Sequence, residues 1–114
     1  MNVCVPVTAD GSVGASWGRA PRMRIVRIEQ GAIVAFEDHD VGWDAVHDAG
    51  SEGSHHARIA RFLRDQGIEA VVAGHMGDPM VRMLQGMRIR VRLGATGAAN
   101  AAALAMAADA GRPT

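Results

Sequence analysis

Apolar residues come in short runs divided by glycine-rich punctuation, and their period changes along the chain. Residues 2–7 form an almost continuous apolar run, which predicts a buried strand closed by the turn-forming stretch 8–14. Residues 22–29 and 32–38 predict two more strands, and Gln30-Gly31 between them predicts a tight antiparallel hairpin. Residues 39–54 predict a long polar loop containing Gly42, Gly50 and Gly53, a length that in small domains usually signals function. The period then changes. Ile59, Ala60 and Leu63 share one face of a helix over 55–66, capped by Ser54 and ended by Gly67. A strand over 69–73 leads through 74–78 into a helix from Pro79 to Gln85, with Asp78 as its cap and Gly86 as its stop. A strand over 88–93 leads through 94–97 into an alanine-rich helix over 98–110.

The resulting order, β-β-β-α-β-α-β-α, predicts an α/β fold in one domain spanning 1–114. A hairpin followed by strand-helix-strand units gives a mixed sheet with right-handed crossovers. The most economical strand order is 3-2-1-4-5, a ribonuclease H-like three-layer arrangement with five strands and three helices. Ile89, Val91 and Leu93 alternate with Arg88, Arg90 and Arg92, so one face of the last strand is wet, as at a sheet edge. The loops 8–21, 74–78 and 94–97 then share the carboxyl edge of three parallel strands, where ligands of open α/β sheets bind.

Charge and composition narrow the function. Acidic and basic residues balance at twelve each, which removes the simplest argument for nucleic acid or an anionic membrane as partner. Every basic residue is Arg, so chemistry that needs a Schiff-base or phosphate-loop Lys is excluded. Cys4 is the one cysteine and no internal disulfide is possible; it lies in an apolar strand, where a thiol is usually buried and inert. Residues 1–7 lack the features of a secretory leader, and no run approaches the roughly 18 apolar residues of a membrane span, so a cytoplasmic protein is expected.

Candidate chemistry falls on loops. His55 and His56 open the first long helix and His75-Met76 follows the fourth strand; imidazole and thioether both suit softer transition metals. The same histidines also suit ordinary polar helix-start and loop positions, where Ala replacements would leave the fold intact. Met76, Met80, Met83 and Met87 recur at helical spacing, which fits core packing, most clearly for Met83 and Met87. Asp10 follows the first strand where a ribonuclease H-like nuclease keeps a metal carboxylate, but no further carboxylates fall where a two-metal site needs them. Asp44, Asp48 and Glu52, in the loop with His47, read as solvated loop charges, and Arg88, Arg90 and Arg92 as an edge guard.

Taken together, 5–11 (VPVTADG), 17–21 (WGRAP), 67–74 (GIEAVVAG) and 87–95 (MRIRVRLGA) resemble the dinitrogenase iron-molybdenum cofactor biosynthesis family, also called nitrogenase accessory factors. The resemblance spans nearly the whole chain. It implies a ribonuclease H-like fold used without nuclease activity. It also implies a non-enzymatic role in binding or carrying an iron-molybdenum cofactor, its precursor or another metal-sulfur cluster, between cluster donor and acceptor proteins. Family members commonly read His-Phe-Gly in the first loop, and that His is the implied cluster ligand; here the segment is Ser16-Trp17-Gly18. The expected ligand set therefore shifts to His55, His56, His75 and Met76, with Ser16, Trp17, Gly74 and Gly77 lining the cargo. A regulatory or protein-interaction module that uses the same loop edge without metal is the alternative.

Overall fold

The computed structural model describes residues 1–46 and 52–110. Its five-stranded sheet has the order β3-β2-β1-β4-β5, as the pattern predicts. β1 (Asn2–Pro6) is central, antiparallel to β2 (Arg22–Glu29) and parallel to β4 (Ala70–Val72). β3 (Ala32–Asp40) and β5 (Arg90–Arg92) are the edges. Gln30 and Gly31 take φ of 53° and 78°, the pair of left-handed residues that a two-residue hairpin turn demands.

Side chains alternate across the sheet and build two cores. Cys4, Met23, Ile25, Val71 and Ala73 face α2 (Glu52–Asp65) and α3 (Asp78–Gly86), where Ile59, Leu63, Met80 and Leu84 meet them. Val3, Val5, Val26, Ile28, Ala70 and Val72 face α4 (Ala99–Ala110), which presents Ala99, Ala103 and Met106. This is the three-layer arrangement. Ala99 and Ala103, four residues apart, let this end of α4 lie close on the strands.

Several boundaries differ from the sequence reading. The predicted 39–54 loop contains the end of β3 and a short helix, α1 (Trp43–Val46), where Trp43 is buried. Ser54 does not cap α2, which already begins at Glu52. Gly77, not Asp78, occupies the N-cap of α3, and Asp78 and Pro79 lie in its first turn. Gly86 does not stop α3 either; it is the last helical residue, and the left-handed position is Arg88 at φ 63°. β5 spans three residues rather than six, because Leu93 runs out past the end of β4 and is exposed. His47 and Asp48 lie outside the described residues.

Both helices that precede a strand end in one backbone device. Ile68 donates to the Leu63 carbonyl behind Gly67 (φ 64°), and Ile89 donates to the Leu84 carbonyl behind Arg88, each at 3.0 Å. The four apolar residues are buried, which is the hydrophobic contact that accompanies this C-cap. It aims each following strand back into the sheet.

Candidate functional site

The carboxyl edge of the parallel strands is laced together by backbone. Ser16 pairs with His75 as a parallel bridge, and the Trp17 amide donates to the His75 carbonyl at 3.2 Å. On the other side Gly94 donates to the Gly74 carbonyl at 3.0 Å. Residues 74–75 thus prolong β4 between the first loop and the loop after β5. The approach is tight at Gly74, where a Cβ would stand 3.0 Å from the Ala15 carbonyl oxygen and 3.2 Å from the Ala15 Cα. Glycine is required there for space.

The chain bends at Gly74, and beyond it the alternation of β4 is broken, so that Met76 returns to the side of Val71 and Ala73. Met76 is buried and faces the α2–α3 side, whereas His75 is exposed. A cleft of about 330 Å³ opens on the Met76 side. Trp17 and Gly18 supply one wall, His55 and His56 of α2 a second, and Met76, Gly77, Pro79 and Met80 the third. Of the expected site residues, Trp17, His55, His56, Met76 and Gly77 meet here; Ser16, Gly74 and His75 lie on the neighbouring loop edge outside it. Gly18, Pro79 and Met80 join the wall, and Trp43 stands behind it. A lone Trp in an otherwise polar stretch was the available signal for Trp43.

His55 is 5% exposed, unlike a surface helix-start residue. Its Nε2 lies 2.7 Å from the Gly18 carbonyl oxygen and its Nδ1 lies 2.9 Å from an Arg58 guanidinium nitrogen. A carbonyl only accepts and a guanidinium only donates, so in this geometry Nε2 donates to Gly18 and Nδ1 accepts from Arg58. Both nitrogens are engaged by the protein in this geometry. His55 therefore anchors α2 to the first loop rather than presenting a lone pair to the cleft. Trp43 packs edge-to-face on Trp17 at 5.6 Å and on Phe62 at 5.7 Å, and His55 adds a third ring contact at 6.3 Å. The Trp17 indole N–H is buried without a hydrogen-bond partner among the described residues.

The α3 N-terminus faces the cleft through Gly77, and no side chain caps it, so its amides present a partial positive charge. Among the described residues no carboxylate lines the cleft. Among the described residues no three His, Cys, Asp or Glu side chains come together as a metal-holding group. Asp10 is spent on its own turn: it accepts from the Thr8 hydroxyl and, at 3.1 Å, from the Ser12 amide, and these bonds hold its carboxyl below the usual range. Cys4 is fully buried in the core, and burial pushes its thiol far above the usual range, so it is inert. No helix among the described residues is long and apolar enough to cross a membrane.

Several solved structures share the fold. PH0822 matches with a TM-score of 0.75 at 21% identity, over 96% of this chain and 90% of that one. The apo orange protein from Desulfovibrio gigas matches with a TM-score of 0.72 at 22% identity, over 99% and 91%. TM1290 from Thermotoga, of the DUF35 family, matches with a TM-score of 0.59 at 21% identity, over 97% and 89%. No functionally curated protein matches the chain. The sequence profile described as dinitrogenase iron-molybdenum cofactor matches residues 1–109, which includes every strand and every wall of the cleft. The chain belongs to the dinitrogenase iron-molybdenum cofactor family, a class of accessory proteins of metallocofactor biogenesis.

Proposed function

We propose that the protein binds and carries an iron-molybdenum cofactor, a related metal-sulfur cluster or a precursor of either, without catalysing a reaction, and that the cargo sits in the cleft between the first loop, α2 and the start of α3. The observation that carries this reading is the composition of the cleft. Its walls offer imidazole, two thioethers, an aromatic face and uncapped helix amides, with no carboxylate among the described residues. Sulfide clusters are anionic and polarizable, so amide N–H groups and soft sulfur suit them while carboxylates would repel them. The volume lies at the small end of ligand pockets and fits a compact inorganic group. Donor and acceptor proteins are the partners this role requires.

A specific observation favours the alternative of a metal-free interaction module: no three-residue His, Cys, Asp or Glu group forms among the described residues. Protein produced and purified under strict anaerobiosis separates the two. The carrier reading expects a coloured protein with a sulfide-to-metal absorption band and molybdenum or iron by elemental analysis. Colourless, metal-free protein that also fails to take up cluster from solution would favour the interaction module.

A further inference from the structure

The two edges of the sheet are finished differently. On β3 the register slips against β2 between Arg27 and Ile28, and Asp38 and Asp40 are held by Arg24 and Arg22, so that edge is closed by a bulge and by acids already paired. β5 pairs with β4 without a slip. The Arg90 amide donates to the Glu69 carbonyl at 3.1 Å, the Arg92 carbonyl accepts from the Ala73 amide at 3.0 Å, and the Gly94 amide donates to the Gly74 carbonyl at 3.0 Å. Residues 90, 92 and 94 thus direct their backbone groups to β4 and its extension, which turns the amides and carbonyls of Val91 and Leu93 to the open edge. A groove of about 340 Å³ runs along this edge, with Gln85 of α3 on one bank and Met106 and Asp109 of α4 on the other. It shares no residue with the cleft.

The two faces of β5 differ chemically. Ile89 and Val91 turn to the α2–α3 core, and Arg90 and Arg92 turn to the α4 side, where Arg92 pairs with Asp109. That ion pair seats a carboxylate on this face of the strand. Arg90 is exposed, and among the described residues it pairs with no carboxylate. Leu93, further along the edge, is 43% exposed. A strand laid beside β5 would place alternate side chains against the arginines on one face and against Val91 on the other, with Leu93 beyond it. We infer that the β5 edge is a docking surface for an extended segment of a partner protein that alternates acidic with apolar residues and adds to the sheet as a further strand. The arginines repel a second β5 and select an acidic strand, which is more than guarding the edge. The β3 of a second copy does not fit, because its adjacent Glu37 and Asp38 fall on opposite faces. The inference stands apart from the carrier reading: it requires a partner segment and no cargo.

The test titrates the full 15N-labelled chain with a synthetic peptide alternating glutamate with valine, about seven residues long like an ordinary strand, and follows the amides by NMR. Saturable binding should shift the Val91 and Leu93 amides and slow their hydrogen exchange, while the Trp17 and Gly77 amides of the cleft stay in place. A peptide alternating lysine with valine should not bind. Methylating the backbone nitrogens of the valines in one peptide, and of the glutamates in another, should abolish binding in one case and spare it in the other, because only one set faces β5. Arg90→Glu should weaken binding by over about tenfold, with circular dichroism showing an unchanged fold. No saturable binding, or the same affinity for both methylated peptides, would overturn the strand docking. So would a uridine oligonucleotide that shifts the same amides and binds at least as tightly, which would make the edge a nucleic-acid patch. Shifts at Val91 and Leu93 that appear on concentrating the chain alone would give the edge to a second copy and overturn it too. Cluster uptake enters none of these readouts, so this surface and the cargo of the cleft are refuted separately.

Discussion

The His55 imidazole donates from Nε2 to the carbonyl oxygen of Gly18 at 2.7 Å, joining a helix to a loop 37 residues earlier. This bond fixes the distance between two walls of the cleft, and the edge-to-face contact with Trp43 supports it from behind. A buried histidine with both nitrogens used is costly to remove, because its carbonyl and guanidinium partners are left unsatisfied. His55→Ala should destabilise the protein by about 1–3 kcal/mol in urea unfolding. The neutral behaviour expected of a polar loop residue does not apply here. An unchanged unfolding midpoint would contradict the anchoring role.

Gly74 carries a second prediction. A Cβ there meets backbone of Ala15 rather than a flexible side-chain tip, so the first loop must move off the sheet edge. Gly74→Ala should cost about 1–3 kcal/mol, the range of an overpacked site. Gly18 has nothing within 4 Å of its Cβ position, and Gly18→Ala should shift stability by less than about 0.5 kcal/mol. Paired thermal melts of the two variants measure the contrast; equal melting temperatures would refute it.

The layered fold was legible because period-2 and period-3.6 runs are carried by residues whose burial depends on little else. Val3 and Val5 alternate with Cys4, and Ile59 and Leu63 lie a turn apart, whatever the rest of the chain does. The site was only half legible. His75 and Met76 are neighbours in sequence, and the bend at Gly74, which no periodicity announces, leaves one exposed and the other in the cleft. His55 looked like a polar helix start because α2 begins earlier, at Glu52, which moves His55 onto the inward face of the first turn. The end of α3 was misread because Gly86 is the obvious stop, whereas the left-handed residue is Arg88.

That last point is testable. A non-glycine residue at positive φ costs about 1–2 kcal/mol, and glycine recovers this at an unfolded-state entropy cost of about 0.5–1 kcal/mol. Arg88→Gly should therefore raise stability by roughly 0.5 kcal/mol, making the end of α3 like that of α2 at Gly67. Denaturant titration reads this directly, and a lower midpoint would show that the Arg88 side chain stabilises more than its backbone strain costs.

Acid titration tests the β2–β3 edge. Arg24 donates from Nε to Asp38 Oδ1 at 2.7 Å and from Nη2 to Oδ2 at 3.1 Å, and this pairing holds the Asp38 carboxyl below the usual carboxylate range. A carboxyl with a lower folded than unfolded pKa adds stability above the unfolded value and loses it as pH falls through the folded value. Asp38→Asn should be less stable than the native protein at pH 7 by about 1 kcal/mol, the upper end for a partly exposed pair. The gap should close as pH drops below about 4. A gap that stays constant from pH 7 to pH 2 would show that the loss is one of packing.

The central claim is that the cleft between the first loop, α2 and α3 holds the cargo. Gly77 lies on its wall with φ −70°, a conformation open to any residue, and a Cβ there meets only the Pro79 ring at 3.9 Å. Gly77→Phe therefore fills the cleft without straining the chain. Anaerobic equilibrium dialysis against tetrathiomolybdate, with molybdenum analysis and circular dichroism as the folding control, compares this variant with the native protein. The account predicts saturable uptake by the native chain and its loss in a fully folded Gly77→Phe protein; equal uptake by both would place the cargo elsewhere and contradict it.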